Sequence, residues 1–286
     1  MLPKIFHSSA NSGCLSLLLI VVILVITISN WLTFSKIESH ISLHPTPSSS
    51  PNFYQDVSLR ELRKAALLSA ESDRLGLLNA SLSSNQEFYK KVKMEAHCQV
   101  KKRIGESGDG GKFVCNPEKA KRDCTLISLG LHNQIGYDKQ IYNATGRQCK
   151  SLGADKDPQN TKTQQEYASI NGQLFAGKIP DELTIPDMLQ KAGRVDVEFL
   201  KIDIEGSEFT ALEPLIKDYF VCQIFIEIHG KAVEHLKMMQ VIAKYGFRIF
   251  SIEPNPYCAN CCEYSYINEM CMHQFEAIPL AITIPH

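Results

Sequence analysis

Val197-Glu198-Phe199-Leu200-Lys201-Ile202-Asp203-Ile204-Glu205-Gly206-Ser207-Glu208-Phe209 is an apolar, β-branched run that closes on three acidic residues with one glycine at the bend. A buried parallel strand reads this way when it stops at the carboxyl edge of its sheet and turns into a helix. Open α/β sheets bind ligands at that edge, so Asp203 and Glu205 are candidates for a site. Glu208 has a plainer reading, a solvated residue in a first helical turn whose dipole favours a negative charge.

Outward from this stretch, strands and helices alternate from about Ala96 onward. Residues 125–131 read as a first buried strand and 148–154 as a second, ending at Asp155. Residues 173–176 read as a short third, 197–204 as the fourth and 223–229 as the fifth, with 247–252 and 277–283 completing the set. Helical patterns fill 186–192, 207–217 and 232–245. Strands separated by helices imply a doubly wound, mainly parallel sheet. A head spanning 96–286 is long enough to bury a full core.

Three strand ends then bring polar groups to one edge. The first runs into Gly130-Leu131-His132-Asn133-Gln134-Ile135-Gly136, where Gly130 and Gly136 suit a tight turn beneath a nucleotide-like ligand and His132 stands where a dinucleotide fingerprint has its second glycine. The second ends at Asp155, followed by Asp157; an acid there accepts ribose hydroxyls, or else serves a turn. The fourth and fifth deliver Asp203, Glu205 and His229, and strand alternation predicts the two acids on one face. An imidazole beside carboxylates suits general-base work on a hydroxyl, and the same trio offers ligands to a hard divalent ion, although no metal site is assigned. The glycine-rich loop 105–112, with Asp109, reads either as a cover for a ligand's charged end or as a turn, and Lys112 lacks the phosphate-loop context.

The first third of the chain is different. No charge interrupts residues 14–34, and about twenty apolar residues match a bilayer's hydrocarbon thickness. This predicts a signal-anchor after a short cytosolic tail of 1–13, with a stem or linker over 35–95: Pro/Ser-rich at 40–52, then broken helical spacing over 56–93. Sequons at Asn79-Ala80-Ser81 and Asn143-Ala144-Thr145, and nine of the ten cysteines, lie beyond the span. Both suit a type II protein facing the Golgi or endoplasmic reticulum lumen. Cys258, Cys261, Cys262 and Cys271 read as zinc ligands or disulfides, and that location favours disulfides. Nine cysteines cannot all pair within one chain. Formal net charge is -1, so no global field draws nucleic acid, and Lys90-Lys91 and Lys101-Lys102-Arg103 read as solvated surface.

The Leu-Lys-Ile-Asp-Ile-Glu-Gly-Ser-Glu run at 200–208 resembles the hallmark of FkbM-type S-adenosylmethionine-dependent methyltransferases. Gly-Asp-Gly-Gly-Lys-Phe-Val-Cys (108–115), Glu-Ile-His (227–229) and Glu-Tyr-Ser-Tyr-Ile-Asn (263–268) look like the metazoan, nematode-expanded branch of that family. The resemblance implies a seven-strand Rossmann-like class I methyltransferase fold whose last strand is antiparallel. It implies S-adenosylmethionine in the crevice, with Gly130 in the cofactor loop, Asp155 at the ribose, and Asp203 with Glu205 near the transferred methyl. Such enzymes usually carry an acid where this chain has Ser128 and a glycine where it has His132. The resulting expectation is a lumenal O-methyltransferase acting on a glycan or other hydroxyl acceptor. The alternatives are a Golgi glycosyltransferase using Asp203-Ile204-Glu205 as a metal motif, and an inactive binding protein that kept the fold.

Overall fold

The computed structural model describes residues 24–28, 56–107 and 110–285. The chain divides into two units, Met1–Pro51 and Asn52–His286. In the first, residues 24–28 are helical and exposed; the rest of the expected signal-anchor and Asp109 lie outside the described residues. Among the described residues no helix is long and apolar enough to cross a membrane.

The second unit opens with helices α1 (Val57–Ala80) and α2 (Asn85–Lys91), then strands β1 (Ala96–Cys98), β2 (Lys101–Ile104), β3 (Lys112–Cys115) and β4 (Thr125–Leu129). Next come α3 (Gly136–Ala144), β5 (Lys150–Asp155), α4 (Thr161–Ala168), β6 (Gly172–Ala176), α5 (Ile185–Ala192) and β7 (Asp196–Ile202). The chain finishes with α6 (Glu208–Asp218), β8 (Phe220–His229), α7 (Ala232–Lys244), β9 (Phe247–Pro254), β10 (Cys261–Asn268) and β11 (Ala277–Pro279). Seven strands form one sheet in the order β6-β5-β4-β7-β8-β10-β9. The pairs β6–β5–β4–β7–β8 are parallel, and β10 runs antiparallel between β8 and β9. Strand order reverses at β4 and β7, and the crevice of such a sheet lies there.

β7 is buried on both faces, which is why its sequence is a continuous apolar run and not an alternating one. On one face the core joins Leu200 and Ile202 to Met188 and Leu189 of α5, Leu212 of α6 and Met239 of α7. On the other, Phe199 and Phe225 meet Tyr137 and Ile141 of α3, with Val114 of β3 nearby.

Two expectations change here. The last strand of the seven in chain order is antiparallel as expected, but it is β10, inside the cysteine-rich segment and between β8 and β9. Residues 277–283 do not join this sheet: β11 covers only Ala277–Pro279 and pairs with β1. The residues read as stem also reach the core, since Leu77, Phe88, Tyr89 and Val92 pack into the same cluster as β7 and β8. A head cut at Ala96 would leave that surface bare.

Candidate functional site

The loops leaving β4 and β7 touch at the reversal of strand order. Gly130 turns the chain at φ +79°, and a β-carbon placed on it would sit 1.7 Å from the Asp203 carbonyl oxygen. Only glycine lets these two backbones approach. Gly136, the first residue of α3, has open space around it, so it carries no such constraint.

Asp155 is buried at the end of β5, where its Oδ2 accepts the His132 N–H (2.6 Å) and its Oδ1 the Asp157 N–H (3.2 Å). His132 and Asn133 sit at φ 46° and 60°, which is why glycine is the usual residue here; the His132 side chain is exposed and its backbone amide is the part that engages the site. Asn133 ties the loop further, its N–H donating to Gln159 Oε1 (2.6 Å) while its Oδ1 accepts the Asn160 N–H (2.8 Å).

Ser128, which replaces the expected acid, is buried beside a carboxylate that the sequence reading passed over. Asp138 points inward from α3 and accepts the Tyr167 hydroxyl (3.1 Å). Burial pushes its carboxyl above the usual range, against the pull of the buried Lys201 ammonium, Tyr167 and Ser128.

Across the crevice, ligand atoms of Asp203, Glu205 and His229 lie within 4.8 Å of one another. Strand alternation is not what gathers them. β7 ends at Ile202, and Glu205 lies in the following turn at φ 56°, so the turn brings Glu205 round to His229. Its Oε2 is 3.5 Å from His229 Nε2, and its side chain is otherwise exposed.

Glu208 is not solvated. It is fully buried, its Oε1 accepting the Ile204 N–H (2.9 Å) and standing 3.3 Å from His229 Nδ1. That hydrogen-bonding carboxylate raises the His229 imidazole to about 9, overcoming desolvation, with Glu227 and Asp203 adding to the rise. Glu227, two residues before the end of β8, is buried opposite Glu263 of β10 and accepts the Asn255 amide (2.8 Å). Burial, then Glu263 and Asp203, push its carboxyl up to about 7. Glu263 pairs with the buried Lys112 of β3, and Arg103 of β2 holds Glu253 (2.6 Å). The β2–β3 hairpin thus covers a row of glutamates from three neighbouring strands. Acids flanked by apolar residues, as in Ile226-Glu227-Ile228 and Cys262-Glu263-Tyr264, were the signal for this row.

The family described as "Methyltransferase FkbM domain" matches residues 94–249, more than half of the 286. The chain belongs to the FkbM methyltransferase family. It is a methyltransferase, and its cofactor is S-adenosylmethionine. No curated protein matches the chain. Among solved structures it is similar to the Methanococcus jannaschii fibrillarin pre-rRNA processing protein, at 15% identity over 60% of this chain and 84% of that one (TM-score 0.38). Aeropyrum pernix fibrillarin in complex with natively bound S-adenosyl-L-methionine gives 10% identity over 60% and 84% (TM-score 0.39). Precorrin-6y C5,15-methyltransferase from Geobacter metallireducens gives 11% over 54% and 84% (TM-score 0.38).

This FkbM domain's residues fit the cofactor. Each Asp155 oxygen takes one backbone N–H and keeps acceptor capacity for ribose hydroxyls. The Gly130 turn brings the loops after β4 and β7 into direct backbone contact at the strand-order reversal. Carboxylates concentrate on the far side of it, which suits a sulfonium cation.

Proposed function

We propose that this FkbM protein is an O-methyltransferase of the secretory lumen acting on a hydroxyl of a glycan or similar acceptor. The convergence of Asp203, Glu205 and His229 beside the Gly130 turn carries the reading. When bound, S-adenosylmethionine supplies an electrophilic methyl group. Asp203, half-buried at the end of β7, takes the proton of the acceptor hydroxyl as its oxygen attacks. His229, held between Glu205 and Glu208, fixes the acceptor oxygen in line, so that catalysis rests on positioning. The acidic acceptor side suits a polyhydroxylated acceptor and opposes a polyanion such as nucleic acid.

Four disulfides among the described residues, Cys98–Cys115, Cys124–Cys149, Cys222–Cys271 and Cys258–Cys261, support an oxidising compartment. The buried Cys262 thiol is the one left over beyond the apolar segment. Exposed Asn79 and Asn143, with the apolar 14–34 stretch, support a type II glycoprotein facing the Golgi or endoplasmic reticulum lumen. Placement in the metazoan branch rests on the 108–115, 227–229 and 263–268 segments alone.

Calorimetric titration of S-adenosylmethionine into the 52–286 unit, with Asp155→Ala alongside, tests the cofactor half. Methyl transfer from labelled cofactor to a panel of mono- and oligosaccharides, with Asp203→Asn as control, tests the rest. Transfer lost in Asp203→Asn at unchanged cofactor affinity supports the reading. Methylation confined to nitrogen or carbon acceptors sinks it.

A further inference from the structure

Cys261 opens β10 directly opposite His229 in the antiparallel pairing with β8. Its sulfur, a ring nitrogen of His229 and a carboxylate oxygen of Glu227 all lie within 4.8 Å of one another. A fourth donor is already in contact, since Cys258 is disulfide-bonded to Cys261. Two sulfurs at Cys-x-x-Cys spacing with an imidazole and a carboxylate form a donor set for a borderline-soft divalent ion. While the disulfide is closed neither sulfur can act as a thiolate. We propose that reducing the Cys258–Cys261 disulfide turns this corner of the sheet into a zinc-class site with Cys258, Cys261, His229 and Glu227 as ligands.

The frame of that site does not depend on the sulfur–sulfur bond. Cys261 N–H donates to the Cys258 carbonyl (3.1 Å), making the turn that keeps both sulfurs together. Gly230 N–H donates to the Asn260 carbonyl (2.9 Å) and Asn255 N–H to the Cys261 carbonyl (3.1 Å). Glu227 Oε1 takes the Asn255 amide, which leaves Oε2 for an ion. Whichever nitrogen of His229 turns to the metal, the other keeps a carboxylate, Glu208 at Nδ1 or Glu205 at Nε2. Such an outer partner is the usual companion of a metal-bound imidazole. Cys262 packs into the core on the opposite face and is no part of the set.

A dithiol reductant supplies two electrons: the Cys258–Cys261 bond breaks, two thiols form, and the reductant closes its own disulfide. Each thiol then loses its proton as the ion binds. Cys258 is partly exposed, as is Cys98 of the Cys98–Cys115 bridge, whereas both partners of Cys124–Cys149 and of Cys222–Cys271 are buried, so the two exposed bridges meet the reductant more readily. Metal loading withdraws His229 from the acceptor side, a consequence that rests on the proposed function.

The full-length chain in detergent, reduced anaerobically with a phosphine, would be titrated with Co2+ and then Zn2+. The expected result is one Co2+ per chain, with thiolate-to-cobalt charge-transfer absorption that Zn2+ abolishes and that the oxidised chain never shows. Cys258→Ser and His229→Gln should each weaken binding roughly tenfold or more, and Cys262→Ala should leave it unchanged. His229→Gln keeps every cysteine, so its melting curve verifies folding where a cysteine variant fails to fold. A reduced chain without the charge-transfer band, or a band equally strong in His229→Gln, overturns the proposal.

Discussion

Gly130→Ala is the sharpest probe of the crevice. A methyl group there would stand 1.7 Å from the Asp203 carbonyl oxygen, where side-chain carbons essentially never come within 3.0 Å, so the β4 and β7 loops must part by more than an ångström. Holding a residue with a β-carbon at φ +79° adds about 1–2 kcal/mol, and the overpacked contact about 1–3 kcal/mol. Taking about 3 kcal/mol for the two together, a unit of this size should melt about 6–12 °C lower. Asp203 and the loop leading to His132 both move with the displaced contact, so the cofactor dissociation constant should rise at least about tenfold, equivalent to about 1.4 kcal/mol. Thermal melts and cofactor calorimetry on the 52–286 unit read both effects. Gly136→Ala is the matched control: its methyl group meets nothing within 4 Å, so it should melt as wild type or gain up to about 1 kcal/mol. A Gly130→Ala protein that melts and binds like wild type would refute the backbone-contact argument.

Phe88→Ala should cost about 3–5 kcal/mol in urea unfolding, because Phe88 is fully buried against the sheet core; a loss below 1 kcal/mol would mean that α2 does not pack as described. His235 is buried between the Tyr264 hydroxyl (Nδ1, 2.9 Å) and the Gly230 and Asn260 carbonyls, and burial lowers its pKa. The folded state therefore holds it neutral, and its contribution is full above the unfolded value near 6.5 and falls away as pH drops below it. His235→Gln should flatten that acid limb in melts between pH 7 and 5, and an unchanged slope would contradict the burial argument. Replacing Cys222 and Cys271 by serine opens a bridge of separation 49 and should cost about 4 kcal/mol, against about 2 kcal/mol for Cys258 and Cys261 at separation 3. Equal losses in denaturant unfolding would show that chain entropy is not what ranks them.

Much of the frame was legible because burial leaves a one-dimensional trace. β7 is apolar throughout since both its faces are covered, and α7 shows its buried positions, Leu236, Met239, Ile242 and Ala243, at helical spacing. β10 was hidden because Cys261, Cys262, Glu263 and Ser265 read as a cysteine-rich polar stretch. Its polarity is satisfied by distant partners, above all Lys112 for Glu263, and a sequence window does not contain them. The helix pair preceding β1 was misjudged for a similar reason. The spacing of Leu59, Leu62 and Ala66 is broken on its own, while the residues that bury are Leu77, Phe88 and Tyr89, which meet strands far along the chain.

The site shows the same limit in sharper form. Gly130, Asp155, Asp203, Glu205 and His229 were visible because strand ends and turns carry local signatures. Glu208 was not, because a glutamate at the start of a helix is adequately explained by the helix dipole. What changes its meaning is a single long-range fact: the end of β8 brings His229 to 3.3 Å from its carboxylate and closes it from water. The Glu208 carboxylate, at the start of α6, raises the pKa of the His229 imidazole at the end of β8, and their contact fixes the ring next to Asp203. Asp138 follows the same logic beside Ser128. With Ser128 in the place of an acid on β4, the buried carboxyl facing Lys201 comes instead from α3, and it is held by the Tyr167 hydroxyl. In both places the chemistry is set by which strands are neighbours in space, and the reversal of strand order between β4 and β7 decides that.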